Sequence, residues 1–131
     1  MAENDKPPLR TALSGTLPDD CAAVLVYTTF PDLAAAEQAG RVLVEQRHAG
    51  CINILPGMVS LYVWQGQLER AQEVVLIAKT TRAAADGCMA AILKLHPYDT
   101  PAVLAVPVTA GASAYLDWIK LGVGPVHGTK S

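Results

Sequence analysis

Four segments of this chain are apolar at consecutive positions, not alternate ones, and a small protein has no ordinary way to hide that pattern. Val24 and Val26 have one parity, Leu25 and Tyr27 the other; Leu61 and Val63 oppose Tyr62 and Trp64. Val75 and Ile77 oppose Val74 and Leu76, and Leu104 and Val106 oppose Val103 and Ala105. Successive side chains of a strand leave opposite faces of a sheet, so a sheet made from these segments is apolar on both sides. At 131 residues the chain is one domain, and its 51% apolar against 17% charged residues exclude disorder throughout.

The elements between these strands follow in a legible order. Ala22–Thr29 reads as a strand. Pro31 and Asp32 open a helix whose stripe is Leu33, Ala36, Gly40, Leu43 and Val44, and His48-Ala49-Gly50 ends it. Cys51–Leu55 is a second strand, interrupted by a kink or bulge at Pro56-Gly57 and resumed as Met58–Trp64. Gln65-Gly66-Gln67 reverses the chain into a strand running from about Glu69 to Thr80. Thr80 or Thr81 caps the next helix, with Ala85, Cys88, Met89, Ile92 and Leu95 as its stripe and Pro97 ending it at His96. Ala102–Val108 is a last strand, and Ser113–Leu121 a short helix with Tyr115, Trp118 and Ile119 on one side.

The order β-α-β-β-α-β with a terminal helix predicts an α+β, ferredoxin-like sandwich: an antiparallel sheet, both main helices on one face, and an extended central hairpin. Residues 1–21 read as a disordered arm, 22–121 as the domain and 122–131 as a flexible tail. Met58–Trp64 and its partner run roughly 23 Å, long enough to reach past their own sheet. Two helices cover one sheet face; the other exceeds the few hundred Å² that soluble monomers tolerate. Burying it at about 25 cal/mol/Å² outweighs the cost of association where shapes fit, so an obligate oligomer packed sheet to sheet is expected. The alternative is that the terminal helix folds back over the open face, although it is short for four strands.

Several function classes fall away. Ten Lys+Arg against twelve Asp+Glu leave a net charge of −2, which does not suit nonspecific nucleic-acid binding. Cys21, Cys51 and Cys88 are odd in number with no CxxC, neither a disulfide framework nor a zinc knuckle, and point to a reducing, cytoplasmic setting. The N-terminus has no apolar h-region, and the longest uncharged stretch, from Arg47 to Glu69, is interrupted by Asn53, Pro56, Gly57, Gln65 and Gly66, so no membrane span is expected. P-loop, GxGxxG and nucleophile-elbow motifs do not occur, and a hydrolase using Cys51 has no orienting third group in view.

Cys51-Ile52-Asn53-Ile54-Leu55-Pro56-Gly57, then Ser60, Tyr62, Trp64 and Gly66, then Glu73, Lys79 and Thr80, His96-Pro97-Tyr98 with Pro101, and Tyr115 with Trp118 resemble the CutA family of divalent-cation tolerance proteins. The resemblance covers about residues 22–121. It implies a homotrimer similar in architecture to the PII signalling proteins, associated with tolerance to copper and other divalent metal ions. Some relatives bind copper through a Cys at the end of the first strand and a His-His pair before Pro-Tyr. Thr28 and Leu95 stand at two of those places, and His96 is the matching one. Gln65 and Ala102 replace acidic residues usual in the family.

Candidate sites follow from both readings. His96 is the first candidate metal ligand, for copper or another divalent cation, and Cys51 the second; the competing role for His96 is a hydrogen bond to a neighbouring strand or subunit. Cys88, on a helix stripe, reads as packing. Glu73 and Lys79 share one strand face, and with Tyr62, Trp64, Tyr98 and Trp118 they are expected at an inter-subunit cleft or interface. The function expected is a non-enzymatic trimeric metal-binding or scaffold protein whose partners are its own copies and divalent ions. The alternative is a PII-like sensor taking a small metabolite or nucleotide between subunits.

Overall fold

The computed structural model describes residues 13–125. Its elements are β1 (Ala23–Phe30), α1 (Leu33–Glu45), β2 (Cys51–Trp64), β3 (Gln67–Thr80), α2 (Ala85–Leu95), β4 (Val103–Val108) and α3 (Ser113–Leu121). The sheet order is β2-β3-β1-β4 with every neighbouring pair antiparallel, as the split β-α-β pattern predicts.

One face carries Val24, Val26, Phe30, Leu76 and Ala78, which meet Ala36, Ala39 and Leu43 of α1 and Cys88, Met89 and Ile92 of α2 in the core. Asp32 caps α1 by accepting a hydrogen bond from the Ala35 N–H (2.8 Å). The stripe of α1 differs from expectation at its ends. Ala39 is buried, whereas Leu33, in the first turn, and Val44, a step round from Leu43, are exposed, since the sheet covers a narrower arc than the apolar one. Leu95, the last residue of α2, is exposed likewise.

β2 is one strand rather than two. Leu55 pairs with Val75 and Met58 with Glu73, so three steps on β2 oppose two on β3, a bulge at Pro56-Gly57 in which Gly57 takes φ 83. The reversal needs only Gln65 and Gly66, both left-handed (φ 51 and 81); Gln67 already belongs to β3. Before α2, the Thr81 hydroxyl accepts from the Ala84 N–H (3.2 Å), while Thr80 donates to the His48 carbonyl (2.6 Å).

The other sheet face carries Leu25, Tyr27, Ile77, Leu104 and Val106. Leu104 is 59% and Val106 47% exposed, and Leu55 of β2 is 50% exposed. α3 does not cover this face. It takes one corner, where Lys79 donates to the Tyr115 hydroxyl (2.8 Å), and its single buried residue is Ile119.

Side chains of the domain hold both ends of the described chain. Leu17 packs on the core, Arg82 donates to the carbonyls of Leu17 and Pro18 (3.0 and 3.1 Å), and Asp19 pairs with Arg82 at 3.6 Å. Arg47 donates to the carbonyls of Leu121 and Val123 (3.1 and 3.3 Å). A guanidinium supplies several donors in a fixed fork, enough to hold two passing carbonyls. The remainder of the expected arm (1–12) and tail (126–131) lies outside the described residues.

Candidate functional site

β1 pairs with β3 only as far as Phe30 and Val74, but the β2–β3 ladder runs on from Met58 and Glu73 to Trp64 and Gln67. The hairpin therefore projects beyond the sheet, as its length predicts. Because the bulge absorbs one residue, Leu55 and Met58 lie on the same face, and Ser60, Tyr62 and Trp64 follow Met58 onto the open side with Glu73. A β2 without the extra residue would turn those rings to the helix side.

At the root of this projection a cleft of about 360 Å³ opens. Tyr62, Trp64 and Glu73 of the hairpin meet Tyr27 and Thr29 of β1, and Tyr98 closes the cleft from the segment after α2. Glu73 is half-buried and makes no hydrogen bond or ion pair among the described residues, and no lysine, arginine or histidine lines the cleft with it. Sequence reasoning missed Tyr27, Thr29, Ser60 and Ala102 in this lining; the shared parity of Tyr27 with Ile77 was the available signal for the first.

His96 stands beside the cleft and positions Tyr98. Its ring stacks on Phe30 (centroids 4.4 Å, 14° between planes), and its Nε2 lies 2.6 Å from the Thr29 carbonyl. Its Nδ1 accepts from the Tyr98 N–H (3.1 Å), which leaves the proton on Nε2, donated to Thr29. Both nitrogens are thus engaged inside the chain, and a metal ion would have to displace one of these bonds. Cys51 pairs with Lys79, in register with Leu25, four residues along β1 from Thr29; it is about 13 Å or more from His96. Thr28 is fully buried with its hydroxyl unpartnered, and burial pushes the Cys88 thiol up to about 12. Among the described residues no three His, Cys, Asp or Glu side chains gather. The described donors of a single chain do not fit a resident divalent ion.

The six residues expected at one interface divide into two groups. Tyr62, Trp64, Glu73 and Tyr98 share the cleft. Lys79 and Trp118 lie at the other end of the same face, with Lys79 about 20 Å from Glu73 along β3. There the Lys79 ammonium lies 5.1 Å from the Tyr115 ring centroid, and Tyr115 stacks on Trp118 at 5.6 Å. The hydrogen bond to Tyr115 raises the Lys79 pKa above its usual 10.5 against the opposing pull of desolvation.

A family model described as CutA1 divalent ion tolerance protein matches residues 24–121. The chain is 40% identical over 99 residues to the Divalent-cation tolerance protein CutA of Pectobacterium atrosepticum, covering 76% of this chain and 90% of that one. It is 39% identical over 100 residues to the protein of the same name from Thermus thermophilus, covering 76% and 97%. Among solved structures, CutA from Xylella fastidiosa superposes with a TM-score of 0.75 at 41% identity, over 79% of this chain and 99% of that one.

Proposed function

The chain belongs to the CutA1 divalent ion tolerance family, and from that premise we propose that it serves in tolerance of copper and other divalent cations as a non-enzymatic, cytoplasmic homotrimer. The observation that carries this reading is the open sheet face, with Leu104, Val106 and Leu55 all 47–59% exposed and only the Lys79 corner covered by α3. Packing copies through that face buries it, and the projecting hairpin supplies the reach to a neighbour. The threefold count rests on the motif resemblance. Because the described donors of one chain do not make a metal centre, the tolerance role is assigned to the assembly as a scaffold, with any ion held between copies. A strain lacking the protein, grown across a copper and zinc series, is expected to be hypersensitive and to be rescued by the native chain. Growth equal to the parent at every metal level overturns the reading.

The cleft favours a second reading, a PII-like sensor for a small metabolite or nucleotide. A cleft of about 360 Å³ lined by hydroxyl-bearing residues and one carboxylate is within the usual size of small-molecule sites. Thermal-shift screening tests it, since a ligand selective for the folded state raises the melting point.

A further inference from the structure

We propose that the cleft at Glu73 receives a small organic ammonium ion; this rests on the sensor reading and specifies its ligand. The lining is unusual in kind. Tyr27, Tyr62, Trp64 and Tyr98 bring four aromatic residues to one cleft, and among the described lining residues the only charged side chain is the Glu73 carboxylate. Ring faces attract a cation through their quadrupole, most strongly where water is thinned. A half-buried carboxylate has lost part of its hydration and gains most from a cation brought to it. Glu73 has no such cation among the described residues.

The same lining argues against the other ligand classes. An anionic metabolite would lie against Glu73 with no lysine, arginine or histidine among the described lining residues to offset it. A hard divalent metal wants several oxygen ligands with more charge than one carboxylate supplies. An alkylammonium group, by contrast, places its apolar, positively polarised surface on the rings and its charge on Glu73. Thr29 and Ser60, also in the lining, offer hydroxyls to any N–H the ligand carries.

The experiment uses the full chain in its native assembly, with Trp118→Phe leaving Trp64 as the reporter. Tetramethylammonium and choline are titrated by Trp64 fluorescence and calorimetry. The neutral isostere 3,3-dimethyl-1-butanol and a nucleotide are run in parallel. A saturable response to both cations is expected, weakened by about tenfold or more in Glu73→Gln and in Tyr62→Leu, unchanged in the exposed control Glu37→Gln, and absent for the neutral isostere. Equal binding of the isostere overturns the proposal, because the cleft would then be merely apolar. Binding of the nucleotide alone overturns it while leaving the sensor reading standing; no binding of any probe removes both. No cation response together with looser assembly of Glu73→Gln also overturns it, and would make Glu73 the ion-pair partner of a second copy.

Discussion

Gly50→Ala is the substitution whose outcome the geometry determines most sharply. Gly50 is not among the residues with left-handed φ, so alanine suits its backbone, and such a change ordinarily stabilises by about 0.4–1 kcal/mol through the unfolded state. Here a Cβ would stand 2.6 Å from the Ile119 carbonyl oxygen and 3.1 Å from its Cα. Carbon–oxygen contacts of this kind settle near 3.3–3.6 Å, so the gap must open by roughly 0.7 Å. Both neighbours are backbone and have no rotamer to give. The chain can bear the overpacking, at about 1–3 kcal/mol, or release α3 and forfeit the burial of Ile119, at about 1.5–3 kcal/mol. The lesser penalty prevails, and a net destabilisation of about 2 kcal/mol is expected. Urea unfolding at one fixed protein concentration reads it, since association shifts apparent stability. Amide exchange across Ser113–Leu121 should accelerate in the same variant. Unchanged or increased stability with normal α3 protection would refute the close-packed seat. Gly122→Ala, whose Cβ meets the Gly50 Cα at 2.8 Å, should behave alike, and the double variant should cost less than the two added.

Further outcomes follow from other residues. Leu104→Lys puts a charge on the open face and should shift the native chain toward monomer in sedimentation velocity, with soluble, folded protein; an unchanged mass would show that this face is not the contact. Thr28→Val removes a buried, unpartnered hydroxyl at nearly constant volume and should stabilise by about 1–2 kcal/mol in thermal or urea unfolding, so a loss of stability would mean the hydroxyl has a partner. Cys88 should resist iodoacetamide in the native state at pH 8 while labelling on unfolding, because its thiol titrates near 12. The unfolded state releases that proton from about pH 9 and the folded state only near 12, so Cys88 contributes stability below pH 9 that declines as pH rises through this window. Cys88→Ala should flatten that part of the pH dependence, and an identical slope would contradict the burial.

What could be read without coordinates was whatever depends on local period and order. Two-faced apolar strands, the β-α-β-β-α-β succession, the cap at Asp32 and the bulge at Pro56-Gly57 each have a signature within a few neighbouring residues. Tyr62, Trp64, Glu73 and Tyr98, expected at an inter-subunit cleft or interface from strand parity and aromatic character, line one cleft of the single chain. Lys79 does not join them, because residues on one strand face can lie far apart along it, and Trp118 is held at the Lys79 end by α3 through Tyr115. Only the tertiary structure decided which way the hairpin's rings point, since one extra residue in β2 reverses their side and pairing register is a property of two strands together. The burial of Ala39 in place of Leu33 and Val44, the seat of α3 on Gly50, and the engagement of both His96 nitrogens were likewise beyond the linear pattern. Periodicity specifies which face of an element is apolar; how much of that face is covered, and which polar atom finds which partner, is determined where distant elements touch.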